Sequence, residues 1–222
     1  MGLFSRRRNE EPAAVEPDEA PATSGPWDFD DQPELGDRVD LGALRIPRRP
    51  GLQFGVELDR GTRRPVSLTL TQGGSAVQLQ VVAAPRSGSL WDEVRPELLQ
   101  SVRDRGGQCD DVPGVFGREL IARMAVTTPA GTVTRAVRYV GVDGPRWMLR
   151  AAFSGRAALE REAAKALEDV LRDVVVVRGP HARPPREVLP LTLPGAAAPT
   201  ETVPSDDPLG ILRRGPEITE TR

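Results

Sequence analysis

One histidine, one cysteine and one lysine in 222 residues remove most of the usual chemical equipment at once. Zinc sites draw several ligands from Cys and His, and His181 with Cys109 cannot supply them. Ser-His-Asp and Cys-His catalytic sets need a histidine held in fixed geometry. His181 lies in a proline-rich stretch that is not expected to hold it so. No Gly-rich loop precedes a Lys-Ser/Thr pair, and no G-x-G-x-x-G follows a strand pattern, so no nucleotide cofactor is expected. A single cysteine excludes an intrachain disulfide framework and fits a reducing compartment. Cys109 is followed by Asp110 and Asp111, whose charge disfavours a thiolate, so a plain free thiol is expected. No apolar run approaches the roughly 20 residues that span a bilayer. The first residues, MGLFSRRR, turn acidic without an apolar h-region. They do not read as a secretory signal, and a cytoplasmic location is expected. Three cations, Arg6 to Arg8, beside Leu3 and Phe4 give only marginal membrane binding at about 1 kcal/mol each.

What is present is unevenly distributed. Residues 1–40 carry eleven acidic and four basic side chains, residues 41–180 fifteen and twenty-one, and residues 181–222 six and five. The near-neutral total of −2 therefore hides an acidic arm beside a basic centre of net +6. Fourteen of the 22 prolines fall outside residues 41–178. Such ends bury too little apolar surface to offset chain entropy. The expected organisation is a disordered acidic arm over 1–38 and one domain over 39–179. An extended docking segment over 180–194 and a disordered tail over 195–222 complete it. About 140 residues suffice for one hydrophobic core. Arginine, at 29 against one lysine, and abundant Ala, Gly, Val and Pro point to a GC-rich genome and an actinobacterial source.

Within the centre the apolar period is first two, then 3.6. Residues 39–47 read as an edge strand ending at Pro47. Residues 51–59 alternate, with Leu52, Phe54, Val56 and Leu58 expected inward. Val66, Leu68 and Leu70 do the same, then Val77, Leu79 and Val81 after the Gly73-Gly74 hairpin signal. Ser89, with Asp92 three residues on, opens a helix. Trp91, Val94, Leu98 and Val102 form its apolar stripe, Pro96 marks a kink or a later start, and Gly106-Gly107 ends it. Strands are expected over 116–126, 132–142 and 146–153. A second helix over 157–171 is expected to bury Leu159, Ala163, Ala166, Leu167 and Val170. Residues 174–177 read as a short strand central in the sheet. After Gly179, Val188, Leu189, Leu191 and Leu193 are expected to dock on the surface. This order implies an α+β domain: a mostly antiparallel sheet hiding one face under both helices.

Three blocks then stand out: AAPRSGSLWDEVR at 83–95, VGVDGPRW at 140–147 and DVVVVRG at 173–179. Together they resemble an actinobacterial domain-of-unknown-function family, number 3710, over roughly residues 41–194. The resemblance implies a bacterial, cytoplasmic protein and implies no activity. The element order also resembles Mog1/PsbP-like α/β sandwiches, whose members are often binding or assembly factors.

The chemistry that remains is arginine and tryptophan. Arg86 precedes the first helix, Arg95 lies one turn into it, and Asp143, Arg146 and Arg150 surround the turn at 143–147. If these loops converge they form an anion-binding patch. Arginine forks bind carboxylate or phosphate, and a loop before a helix offers free N–H groups. The competing reading makes Asp92 a cap partner, Asp143 turn chemistry and the arginines a solvated sheet face. Trp91 and Trp147 are expected in the core, against one another in one arrangement. The leading expectation is a non-enzymatic protein-binding or assembly module. The alternatives are nucleic-acid or anionic-ligand binding through the patch and, last, an enzyme using Asp143 or Asp92. The acidic arm is also a possible docking element for a basic partner, and residues 208–214 a short linear motif.

Overall fold

The computed structural model describes residues 25–129 and 131–193. The chain runs through β1 (Trp27–Asp28), β2 (Arg38–Asp40), β3 (Leu44–Pro47), β4 (Gln53–Leu58), β5 (Pro65–Gln72) and β6 (Ser75–Ala83). It continues through α1 (Leu90–Asp104), β7 (Gln108–Gly114), β8 (Gly117–Thr128), β9 (Gly131–Gly144) and β10 (Trp147–Gly155). A 3-10 turn (Arg156–Ala158), α2 (Arg161–Arg172) and β11 (Val175–Val176) follow. The fold is a single α+β domain with a seven-stranded antiparallel sheet ordered β4-β5-β6-β10-β9-β8-β7 and a smaller sheet ordered β1-β11-β3-β2.

The centre of the large sheet falls where apolar residues are most continuous. β6 and β10 pair over Ser75 to Ala83 and Trp147 to Gly155, and residues 80–83 and 147–151 are buried on both faces. Two-sided burial needs two covering layers. One face presents Leu68, Leu70, Val77, Leu79, Val81, Leu149 and Phe153 to α2 and the small sheet. The other presents Val82, Leu120, Ala122, Tyr139 and Met148 to α1. The helices therefore lie on opposite faces, which corrects the expectation of one face under both. Trp91 and Trp147 are buried as expected, but on opposite faces. A Cβ at Gly141 would lie 2.2 Å from the Trp91 ring, and one at Gly144 would lie 2.1 Å from the Trp147 ring. Positions three apart on a strand point to opposite faces, so each tryptophan fills the space over its own glycine.

α1 begins as its sequence indicates. Ser89 caps it by accepting from the Asp92 N–H at 3.0 Å. Pro96 is accommodated without a later start. The Gly106 N–H bonds to the Arg103 carbonyl and the Gly107 N–H to the Val102 carbonyl, with Gly106 at φ 77. This is a Schellman ending, which needs a left-handed residue where glycine stands.

Five further expectations change. The described fold already includes Trp27 and Asp28, within the 1–38 stretch expected to be a disordered arm. Trp27 and Asp28 pair in parallel with Val175 and Val176, and the Trp147 indole N–H donates to Asp28 at 2.5 Å. β11 consequently lies inside the small sheet rather than in the centre of the large one. β7 is a strand where the sequence analysis places no element between Gly107 and residue 116. As an edge strand it tolerates both charge and Pro113. β4 is also an edge, and Phe54 and Leu58 remain 43% and 41% exposed rather than pointing into the core. Finally, the second helix starts four residues later than expected, at Arg161. Its buried side is Ala164, Leu167, Glu168, Val170 and Leu171, while Leu159 and Ala166 are exposed and Ala163 is half-buried.

Beyond β11, the chain returns to the large sheet. Arg186 and Leu189 donate to the carbonyls of Ala83 and Val81, and Ala83 donates to Glu187, in line with β5 along β6. Leu189 and Leu191 are buried there, Val188 is half-buried and Leu193 is 39% exposed. Residues 1–24 and 194–222, with the basic start and the 208–214 motif, lie outside the described residues.

Candidate functional site

The five residues of the expected patch do not form one cluster. Arg95 turns along α1 to Asp92 at 2.5 Å and across to Asp111 at 3.1 Å. Arg150 is buried on the sheet and donates to Gln80 Oε1 at 2.6 Å. Asp143 occupies the N-terminus of α1: its oxygens accept from Ser89 Oγ at 2.7 Å, the Leu90 N–H at 3.0 Å and the Trp91 N–H at 3.1 Å. The helix N–H groups expected to be free for an anion therefore already hold a carboxylate, with the macrodipole favouring it. Asp92 faces Arg95, which holds its carboxyl below the usual range, chiefly through their hydrogen bond. Arg86 and Arg146 remain exposed at the same end of the sheet, where the Ala84 N–H donates to the Arg146 carbonyl. They are joined by arginines from the segment after β11. Arg178 donates to the carbonyls of Arg146, Gly179 and His181. Arg183 pairs with Glu187 at 2.6 Å. His181 is exposed, and its carbonyl is the atom engaged.

A second site was not visible in the sequence. A cleft of about 350 Å³ opens between the β7–β8 hairpin and the first turns of α2. Its floor is charged and buried. Arg138 on β9 donates to Glu119 on β8 at 3.1 Å and to Glu168 on α2 at 2.7 Å. All three side chains are at least nine-tenths buried. The Arg138 guanidinium also stacks on Phe153 at 4.3 Å, and its Nε finds no acceptor among the described residues. Gly114 makes room for the carboxylate, since a Cβ there would lie 1.9 Å from Glu119 Cδ. Two carboxylates thus face one guanidinium in a water-poor place, where an isolated charge is expensive. The lips are apolar: Val115 at the hairpin tip and Leu159 before α2 are 53% and 57% exposed. Arg161 and Lys165 line the outer wall.

No local motif marks this triad in the sequence. The available signal was phase. Glu168 falls on the same side of α2 as Ala164, Leu167 and Leu171, and Arg138 alternates in step with Val140. A charged residue in register with an apolar face marks a buried pair.

Cys109 is 3% exposed. Burial pushes its thiol up, Arg103 opposes this, and Asp110 and Asp111 add to it. No group of three or more His, Cys, Asp or Glu side chains among the described residues is arranged to hold a metal ion. None of the helices described is long and apolar enough to cross a membrane.

The model of a family described as "Protein of unknown function (DUF3710)" matches residues 25–200. The match begins at Gly25, where the described fold begins, and takes in both helices, both sheets and the returning segment. No curated protein matches the chain. The chain therefore belongs to domain-of-unknown-function family 3710.

Proposed function

We propose that this protein is a non-enzymatic binding module, and that its partner protein seats in the cleft between the β7–β8 hairpin and α2. The observation that carries this reading is the combination of lips and floor. Val115 and Leu159 hold apolar side chains in solvent on either side of a cavity. The floor below holds two carboxylates against one guanidinium. A partner loop with an apolar residue for the lips and a basic residue for the floor matches both. Apolar contacts that exclude water around a central polar anchor are the usual anatomy of binding hot spots.

The same geometry argues against hydrolytic use of the two glutamates. Each has an oxygen committed to Arg138, and Glu119 also lies against the Phe116 N–H at 3.5 Å. Asp143 and Asp92, the carboxylates of an enzymatic reading, are engaged at the start of α1. The test is comparative affinity capture with the full chain and a Val115→Asp/Leu159→Asp variant. Both positions are exposed, so the fold is expected to survive. Proteins retained by the wild type and lost by the variant support the reading. Identical recovery from both refutes it.

A further inference from the structure

The other end of the domain carries a separate feature: arginines held together with too few acids. Five come from segments whose backbones meet near the β9–β10 turn. Arg86 follows β6, Arg146 stands in the turn, and Arg178, Arg183 and Arg186 come from the returning segment. Two of them are matched by carboxylates. Arg183 pairs with Glu187, and Arg186 holds Glu97 at 2.8 Å and Glu93 at 3.3 Å on α1. Asp143, also nearby, is engaged by Ser89, Leu90 and Trp91. That leaves Arg86, Arg146 and Arg178 without a salt bridge among the described residues; the carboxylate that acts on Arg178, Glu187, is itself paired with Arg183. Arg178 donates only to carbonyls, which leave its charge unneutralised.

The backbone gives a second, independent observation. Arg146 has φ 62, in the left-handed region. It follows Pro145 in a two-residue turn between paired Gly144 and Trp147, a position that favours glycine or asparagine. An arginine there is strained, and such strain persists where the surroundings enforce it. Arg186 is similarly placed at φ 71, and its side chain is clamped on Glu93 and Glu97. Arg146 has the same strain and no acceptor for its guanidinium among the described residues. Its carbonyl is gripped by Ala84 and Arg178, so the side chain is fixed at its root while its tip remains in solvent. Burial chiefly, then the charges of Arg146 and Arg183, lower the Arg178 pKa, with Glu187 acting the other way.

We infer that Arg146 and Arg178, with Arg86 beside them, form a site for a phosphate group on a small molecule. Forked guanidinium donors match phosphate oxygens in pairs, and a phosphate monoester brings nearly two negative charges to a site whose nearby acids, Glu187 and Asp143, are already engaged. This site lies apart from the cleft, so it does not depend on the binding-module reading.

The test is thermal unfolding of the full chain in inorganic phosphate or pyrophosphate, against chloride at matched ionic strength. A ligand that binds the folded state raises its Tm with concentration. Wild type is expected to show a saturable rise. Arg146→Gly suits φ 62 and is expected to keep the fold while losing the rise, and Arg146→Asn, which also tolerates this conformation, is expected to behave alike. No rise in wild type overturns the inference, as does an equal rise in both variants. Short single-stranded DNA forms a third arm. Binding of DNA with a steep salt dependence and no response to the small phosphates would overturn the inference in favour of a nucleic-acid backbone.

Discussion

Replacing Arg138 by methionine is expected to be among the most damaging single changes available in this domain. The substitution keeps an unbranched chain over Phe153 and removes the guanidinium that bridges Glu119 and Glu168. Two carboxylates, 3% and 10% exposed at their side chains, are then left without a cation on the cleft floor. Breaking a buried ion pair from one side costs about 3–5 kcal/mol, because the remaining charge stays buried. For a domain of this size that corresponds to a fall in Tm of roughly 6–20 °C. Glu168→Gln is the informative contrast, since it leaves one carboxylate facing one guanidinium. Its cost is expected to be about 1 kcal/mol, on the scale of a single neutral hydrogen bond. Urea unfolding followed by tryptophan fluorescence reads both, because Trp91 and Trp147 are buried in different clusters. Arg138→Met within about 1 kcal/mol of wild type would refute the reasoning. So would Glu168→Gln costing as much as Arg138→Met, because the cost would then not follow the unpaired charge.

Other expectations follow from single contacts. Gly141→Ala places a Cβ 2.2 Å from the Trp91 ring. Overpacking of this kind costs about 1–3 kcal/mol, and a changed near-ultraviolet dichroism of tryptophan should accompany the loss. Asp143→Ala strips the carboxylate from the start of α1 and should cost about 1–2 kcal/mol in denaturant unfolding. A cost near zero would mean that Ser89 alone caps the helix. Burial holds the Cys109 thiol protonated above its ordinary range, so native protein should resist alkylation at mildly alkaline pH while urea-unfolded protein reacts. The sign for stability follows. The unfolded thiol loses its proton near pH 8.5 while the folded one keeps it, so this contribution is full below that pH and declines as pH rises. A Cys109→Ala variant should lose that part of the alkaline decline.

The pattern of apolar residues carried most of the fold. Alternation in residues 66–71 and 76–84 located β5 and β6, and the Trp91, Val94, Leu98, Val102 stripe with Ser89 located α1. The errors share a cause: local pattern is silent about what lies on the other side. β4 alternates like a core strand, yet it stands at the sheet edge with Phe54 exposed. The Gln108–Gly114 segment lacks the pattern because an edge strand needs little of it. The acids and prolines around Trp27 and Asp28 give that stretch the composition of a disordered arm. The ladder of these two residues to Val175 and Val176 joins residues almost 150 positions apart. Of the candidate patch, Arg86 and Arg146 were legible from their loops. Arg178 and Arg183 were not, since only the returning segment brings them alongside. The Glu119–Arg138–Glu168 triad draws on two strands and a helix, and no local window contains more than one of its members.

The binding-module account turns on the cleft, and one comparison tests it most directly. Quantitative capture from a cell extract would use three forms of the full chain: wild type, Val115→Asp/Leu159→Asp, and Phe54→Glu on the exposed β4 edge. All three are expected to unfold with similar midpoints, because every altered side chain is exposed. The account predicts at least one protein held by wild type and by Phe54→Glu and lost by the cleft variant. Partners retained equally by the cleft variant, or lost only with Phe54→Glu, would contradict it.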